Sequence, residues 1–330
     1  SRIRHIHGRF RNRHRVCLLA YKRIRPSEPQ CLPVSSNRLY NRDYRRLQSP
    51  ARYLRLIHLL EQHAKAVFGP HPSRIHALVM PWKAWGSSWT RRHLMGGNWF
   101  PLEMFIVGLL CVAVPYFTSN NIAEYYLSTV WDPEIALDRD IPVINWMIIP
   151  YAALYLFYPA TLVLCPKDDR GRLELLLAMQ GLILVTLFCV VIFLVLPAEI
   201  DLRWQLDEHW VDHPLNGIET ALYGFIHFSD NPWNAWPSLH IVHSYLLARM
   251  MTLWVIREHG EKPFAKAFLA ILWAEYVLLC GSILTTKQHY LWDLVAGLIV
   301  AVFAWKLFEY ALSLADRNTP EEVAKEAGWT

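Results

Sequence analysis

The sequence predicts an all-α fold, a polytopic membrane bundle of about six transmembrane helices, and three observations carry that prediction. The 330-residue chain is 54% hydrophobic and only 18% charged, and its apolar residues fall in long blocks rather than in short amphipathic periods. Six of those blocks approach the roughly 20 residues that a helix needs to cross a bilayer. The loops between them alternate between basic and acidic composition.

The blocks run over residues 101–118, 143–165, 173–196, 239–256, 267–286 and 291–312. Each is expected to be helical, because lipid offers no hydrogen-bond partner to an open backbone. Pro142 and Pro150 predict an irregular start to the second block. Arg91 and Arg92 precede the first block. Lys167, Arg170 and Arg172 follow the second, and Arg257, Lys262 and Lys266 follow the fourth. The opposite loops carry Glu124, Asp132, Glu134, Asp138 and Asp140, and then the acids between Glu199 and Asp230. This distribution predicts cytoplasmic termini, with the loops after the first, third and fifth blocks facing outward.

Residues 1–79 have a different composition. They hold 17 Lys/Arg against 3 Asp/Glu, whereas residues 80–330 hold 16 against 25. The formal net charge of +5 therefore averages two unlike parts. Only residues 53–68 show an amphipathic run, and the segment is expected to be disordered because it cannot bury a core. A targeting peptide, a nucleic-acid arm and a segment outside the natural protein compete as readings. The last is favoured, since Met80 opens a more conventional membrane-protein start, MPWKAWGSSWTRRH. No nucleic-acid partner is expected. The chain then divides into the basic segment 1–79, a cytoplasmic lead-in at 80–100, a membrane domain at 101–312 and a cytoplasmic tail at 313–330.

The six cysteines (Cys17, Cys31, Cys111, Cys165, Cys189 and Cys280) form no CxxC or Cys/His metal spacing. Nothing resembles a P-loop, a dinucleotide fingerprint or a zinc site. Two segments at the expected outer boundary carry the chemistry instead. The first is Asn231-Pro-Trp-Asn-Ala-Trp-Pro-Ser-Leu-His240, at the mouth of the fourth block. The second is Ser282-Ile-Leu-Thr-Thr-Lys-Gln-His-Tyr-Leu-Trp-Asp293, between the fifth and sixth. Ionisable residues at a membrane boundary are costly unless paired or functional. His289 and Asp293 at helical i, i+4 spacing share a face. Asp293 then accepts from one imidazole nitrogen and leaves the other free to attack or to move protons. Ser238 sits where a helix cap belongs, and Lys287 offers positive potential for a phosphate. Taken singly, each histidine reads more readily as a satisfied interfacial residue than as a catalytic one. The joint pattern favours phosphate-ester chemistry.

PSLH at 237–240 and His-x-x-x-Asp at 289–293 resemble the second and third motifs of the type-2 phosphatidic acid phosphatase and haloperoxidase superfamily, in the same order and across the same helix pair. The wording TTKQHYLWDLVAG at 285–297 most resembles a bacterial branch close to inositol phosphorylceramide synthases. The resemblance covers roughly residues 100–312. It implies that His289 is a nucleophile forming a phosphohistidine, that Asp293 orients it, that His240 protonates the leaving oxygen, and that Ser238 helps to hold phosphate. The chain also departs from the family pattern. Ile283 stands where an arginine clamp is usual, so Lys287 is read as its substitute. Leu239 replaces the commoner glycine. The first motif, Lys-x6-Arg-Pro, is absent, and Arg203 in LPAEIDLRW is the candidate remnant.

Other residues carry two readings each. His243, one turn beyond His240, either faces the same cavity or packs between helices. Glu275 within the fifth block reads as a structural partner in preference to a proton relay, and Lys306 as snorkelling to the inner surface. Trp131, Trp204, Trp210, Trp233 and Trp236 fit an interfacial belt or a lipid access path. The expected activity is hydrolysis of a lipid phosphate or diphosphate, with no cofactor or metal required. Transfer of a phospho-head-group to an alcohol is the alternative, and a non-catalytic lipid-binding or transport protein the second. The sequence leaves the lipid and the oligomeric state open.

Overall fold

The structure is a computed structural model and describes residues 78–329 apart from 261 and 317. The basic segment and its amphipathic run at 53–68 lie outside the described residues, except for Leu78 and Val79. Six helices are long and apolar enough to cross a membrane: Trp99–Tyr126, Asn145–Leu164, Asp169–Val195, Leu239–His259, Pro263–Thr285 and Leu291–Ser313. These are the first to sixth spans, and no strand occurs among the described residues. Such a chain is a multi-pass membrane protein.

The third and fourth spans form the centre of the bundle. Their most apolar stretches are 67% and 72% buried, against 22–39% in the other four. The peripheral spans keep apolar side chains such as Val114, Val163, Ile271 and Ile299 on the outside, as a helix facing lipid must. Burial inside the bundle thus ranks the spans in a way that hydropathy does not.

Local signals explain most of the boundaries. Asp168 caps the third span by accepting from Gly171 N at 2.7 Å. Pro263 occupies the first turn of the fifth span, where its missing N–H costs nothing. The second span opens irregularly, as its prolines predict, with a 3-10 turn at Asn145–Met147 and short helix Ile148–Ala152 before Leu154–Leu164. The first span runs two turns past the predicted stop at 118. Ser119 and Asn120 end the apolar block, yet both are buried against the 230–234 segment and continue the helix.

The site end of the bundle is stapled by a short helix, Ala136–Asp140. The Asp138 carboxylate is buried and accepts from Leu291 N at 2.7 Å and Ile135 N at 2.8 Å. It therefore neutralises amide donors at the start of the sixth span. At the opposite end, Gln180 of the third span accepts from Trp82 N (3.1 Å) and the Trp85 indole (3.0 Å) and donates to Met80 O (2.9 Å). The Trp329 indole donates to Trp82 O at 3.0 Å. The lead-in and the tail are thus packed on one another.

Two expectations about single residues change. The Glu275 Oε1 atom is buried with no hydrogen-bond partner, so the structural pairing predicted for it is not formed among the described residues. Only part of the tryptophan set is placed as a belt: Trp131 and Trp204 are exposed, but Trp233 is buried.

Glycine spacing gives a test of the packing. A Cβ at Gly297 of the sixth span would lie 2.9 Å from Ser238 O and 3.0 Å from Ile241 Cβ, whereas one at Gly181 of the third span would meet nothing within 4 Å. Gly297→Ala is expected to cost about 1–3 kcal/mol through overpacking. Gly181→Ala is expected to be neutral or stabilising by up to about 1 kcal/mol. Thermal unfolding of the detergent-solubilised protein measures both, and equal effects would contradict this helix contact.

Candidate active site

The two chemistry-bearing segments meet where the fourth and sixth spans begin. Residues 286–290 form the tight connection out of the fifth span. The Gln288 and His289 amides both donate to Ile283 O, at 3.2 and 3.1 Å, which closes the helix end. Lys287 takes a left-handed conformation there, with φ of 57°. The sixth span then starts at Leu291 and carries Asp293 in its first turn.

Asp293 is fully buried and joins both segments. Its Oδ2 accepts from His289 Nδ1 at 3.3 Å and from Tyr290 N at 2.8 Å. Its backbone carbonyl accepts from Ser238 N at 3.2 Å. A carboxylate can only accept, so the proton of the neutral imidazole is held at Nδ1 and the lone pair is left at Nε2. That nitrogen lies 3.2 Å from Ser238 Oγ. Ser238 occupies the N-cap position of the fourth span but makes no capping bond; its hydroxyl is turned to His289 instead. This corrects the expectation that it caps the helix.

His240 stands one residue into the fourth span. Its ring lies 5.8 Å from that of His289 and 4.3 Å from that of Tyr151 between centroids, tilted by 33° to the latter. Tyr151 OH is 3.4 Å from His240 Nδ1, while His240 Nε2 is buried with no protein partner. The structure therefore brings His240, His289, Asp293 and Ser238 together. His243 lines the same cavity, and both its ring nitrogens are engaged: Tyr158 OH meets its Nδ1 at 2.5 Å and Thr186 Oγ1 its Nε2 at 2.9 Å.

The cations behave differently from each other. Lys287 is fully buried, and its ammonium donates to Asp138 O at 2.9 Å and Ile141 O at 2.6 Å. Burial pushes this amine below its ordinary value. Lys287 is thus turned into the 138–141 segment and is not among the residues lining the site cavity, which corrects its reading as a phosphate clamp. Arg203 does not line the cavity either, but it is bonded to Asp230, which does. One of its terminal nitrogens donates to Asp230 O and to Gln288 Oε1, each at 2.9 Å, and its Nε is buried without a partner.

Spacing alone did not reveal a set of polar residues on the first span and the 230–234 segment. Asp230 Oδ1 accepts from Tyr116 OH at 2.6 Å and Asn120 Nδ2 at 3.2 Å. Asn234 Nδ2 donates to Tyr116 O and Ser119 Oγ, each at 2.8 Å. Burial pushes the Asp230 carboxyl above its usual range, against the hydrogen bond from Tyr116. The available sequence signal was the polar run Ser119-Asn120-Asn121 directly after an apolar block, which ended a helix in the reading of hydropathy.

These groups line the polar end of a cavity of about 350 Å³. His240, His289, Asp230 and Asn234 form that end, and Phe105, Val112, Leu154 and Leu182 are among the apolar residues of the remainder. The wall follows the first span from Phe105 to Phe117, a distance of about 18 Å at the rise of an α-helix. That is comparable to one leaflet of a hydrocarbon core about 30 Å thick. The arrangement offers a nucleophilic nitrogen, a second imidazole and hydrogen-bond donors at the head of an apolar slot.

A sequence model described as the PAP2 superfamily matches residues 130–307, 178 of the 330 residues. Neither a curated protein nor a solved structure matches the chain.

The Arg203 network predicts a pH effect. Gln288 gives its carbonyl to Arg203, so its amide nitrogen faces His227 Nε2 at 3.2 Å, and that nitrogen must be unprotonated to accept. Burial, with Arg203 nearby, holds the His227 imidazole down at about 4. Between about 6.5 and 4 the unfolded chain binds a proton that folded His227 refuses, so stability is complete above this window and falls as pH decreases through it. His227→Gln is expected to flatten part of that decline. Melting temperatures at pH 7 and pH 5 measure it, and an unchanged slope in the variant would contradict this role.

Proposed function

This chain belongs to the PAP2 superfamily, and we propose that it is an integral membrane lipid phosphatase acting through a phosphohistidine at His289. Membership supports phosphatase-type or phosphotransferase activity on lipid phosphates in general. The observation that carries the finer reading is the Asp293–His289 pair, which frees Nε2 at the polar end of an apolar cavity.

In the first step the lone pair of His289 Nε2 attacks phosphorus, and the bond from phosphorus to the lipid oxygen breaks. His240 gives its proton to that leaving oxygen. In the second step water attacks the phosphohistidine, the N–P bond breaks, and the water proton passes to His240. Asp293 keeps the His289 proton at Nδ1 and stabilises the charge that develops on the ring. The Ser238 hydroxyl and the Arg203 guanidinium are the proposed hydrogen-bond partners of the phosphoryl oxygens. Lys287 has no role in this scheme. By the excess of lysine and arginine in the loops at the other end, the site faces outward and both termini are cytoplasmic.

Transfer to an alcohol is the second reading, and Asp230 favours it. The Asp230 carboxyl lines the cavity, and its oxygens are suited to bind a hydroxyl such as an acceptor polyol would present. The inositol phosphorylceramide synthase-like wording at 285–297 points the same way.

A panel of lipid phosphates and diphosphates, with and without polyol acceptors, tests both readings. His289→Ala is expected to reduce phosphate release to background, and His240→Ala to lower it by about 10²- to 10⁴-fold. Phosphate acid-labile at residue 289 after rapid quenching is the expected intermediate. Neither release nor transfer from any lipid, or full activity in His289→Ala, would sink the proposal.

A further inference from the structure

A second cavity, of about 330 Å³, lies at the end of the bundle away from the histidines. It sits between the start of the first span and the turn that joins the second to the third. Gly97, Asn98 and Leu102 line one side, Val163 and Lys167 another, and Arg172 the floor.

Arg172 is only 6% exposed, an unusual state for a guanidinium. One terminal nitrogen donates to Asp169 Oδ1 at 2.7 Å and lies 3.4 Å from His93 Nδ1. Its Nε is buried with no partner. The other terminal nitrogen is pressed on Gly97: a Cβ there would lie 2.0 Å from it, and Gly97 has φ of +86°. Only glycine admits that approach at that backbone angle. Gly97 covers the edge formed by Nε and this nitrogen, and the guanidinium brings to the cavity wall a charge that is fixed in place.

The surrounding charge is of the right sign. Asp169 is already paired with Arg92 at 2.9 Å, so it offsets Arg172 only in part. Asp168 is engaged in capping the third span. Lys167 is exposed and pairs with no described residue. The first span also directs its amino-terminal end at the cavity, and its N-cap residue Asn98 supplies no side-chain cap. The remaining walls are apolar and face lipid: Val163 is 83% exposed and Leu102 45%. A soluble anion would have no use for those walls, whereas a lipid would.

We propose that this cavity holds the phosphate headgroup of an anionic phospholipid, clamped by Arg172 and Lys167, with its acyl chains along Leu102 and Val163. A basic pocket between spans at headgroup depth is suited to such a ligand. The lipid would tie the start of the first span to the turn between the second and third. This site is independent of the chemistry assigned to His289.

Native mass spectrometry of the full chain, released from micelles supplemented with phosphatidylglycerol or phosphatidylcholine, tests the inference. One phosphatidylglycerol per chain is expected to be retained, and phosphatidylcholine is expected to be lost. Lys167→Gln should weaken retention by about fivefold. Val163→Trp should block the apolar wall with a similar loss, and Arg172→Lys should weaken binding by replacing a guanidinium fixed at the cavity wall with a mobile ammonium. The first two lie on the surface and leave the fold intact, so they decide the matter if Arg172→Lys unfolds. Equal retention of the two lipids, or retention unchanged in both Lys167→Gln and Val163→Trp, would overturn the proposal. Displacement of the lipid by inorganic phosphate would mark a free-anion site and overturn it as well.

Discussion

The candidate site depends on a single buried carboxylate. Asp293 accepts from the His289 imidazole and the Tyr290 amide through its side chain, and from the Ser238 amide through its backbone carbonyl. A buried carboxylate is costly unless its lone pairs are used. The carboxylate's two bonds stay at the entry to the sixth span and leave Oδ1 without a partner, so the tie to the start of the fourth span is the Asp293 carbonyl, which accepts from Ser238 N. The geometry of the histidines thus rests on the side chain and the backbone of one residue together.

The same economy explains where the cations go. Lys287 is next to the histidine segment in sequence, and a solvated lysine there would offer charge to a phosphate. Its position in the left-handed turn instead points it to the carbonyls of Asp138 and Ile141. There it holds the short helix whose carboxylate caps the sixth span. Arg203, distant in sequence, reaches the site because Gln288 and the Asp230 carbonyl hold it there. Charge near the reacting groups is supplied by a network of loops rather than by the nearest basic residue.

Much of the bundle was legible in the sequence because lipid imposes one backbone solution on every long apolar block. The third and fifth spans start at Asp169 and Pro263, before the apolar blocks predicted from 173 and 267. Their first turns are set locally by the Asp168 cap and by Pro263 and carry polar residues that hydropathy passes over. The end of the first span was misread, since Ser119 and Asn120 look like a helix stop until Asp230 and Asn234 are brought against them. Glu275 was misread for the opposite reason. A carboxylate in an apolar block implies a partner, but no neighbouring helix supplies one to its Oε1. The contact of His289 with Asp293 was legible but its geometry was not: His289 precedes the sixth span, which starts at Leu291, so the two meet across the helix start rather than on a shared helix face.

By itself the sequence determined the helical class and the six spans, which rest on composition over short distances, and it put His289 within reach of Asp293 four residues on. Only the tertiary structure decided that Ser238 faces His289 rather than capping its helix, that His243 lines the cavity with both ring nitrogens already bonded, and that Lys287 is turned to the 138–141 segment while Arg203 is not remote. Those outcomes turn on which donors and acceptors meet across more than 50 residues of chain. Hydrogen-bond satisfaction in a buried site is a property of the whole neighbourhood, and no local pattern encodes it.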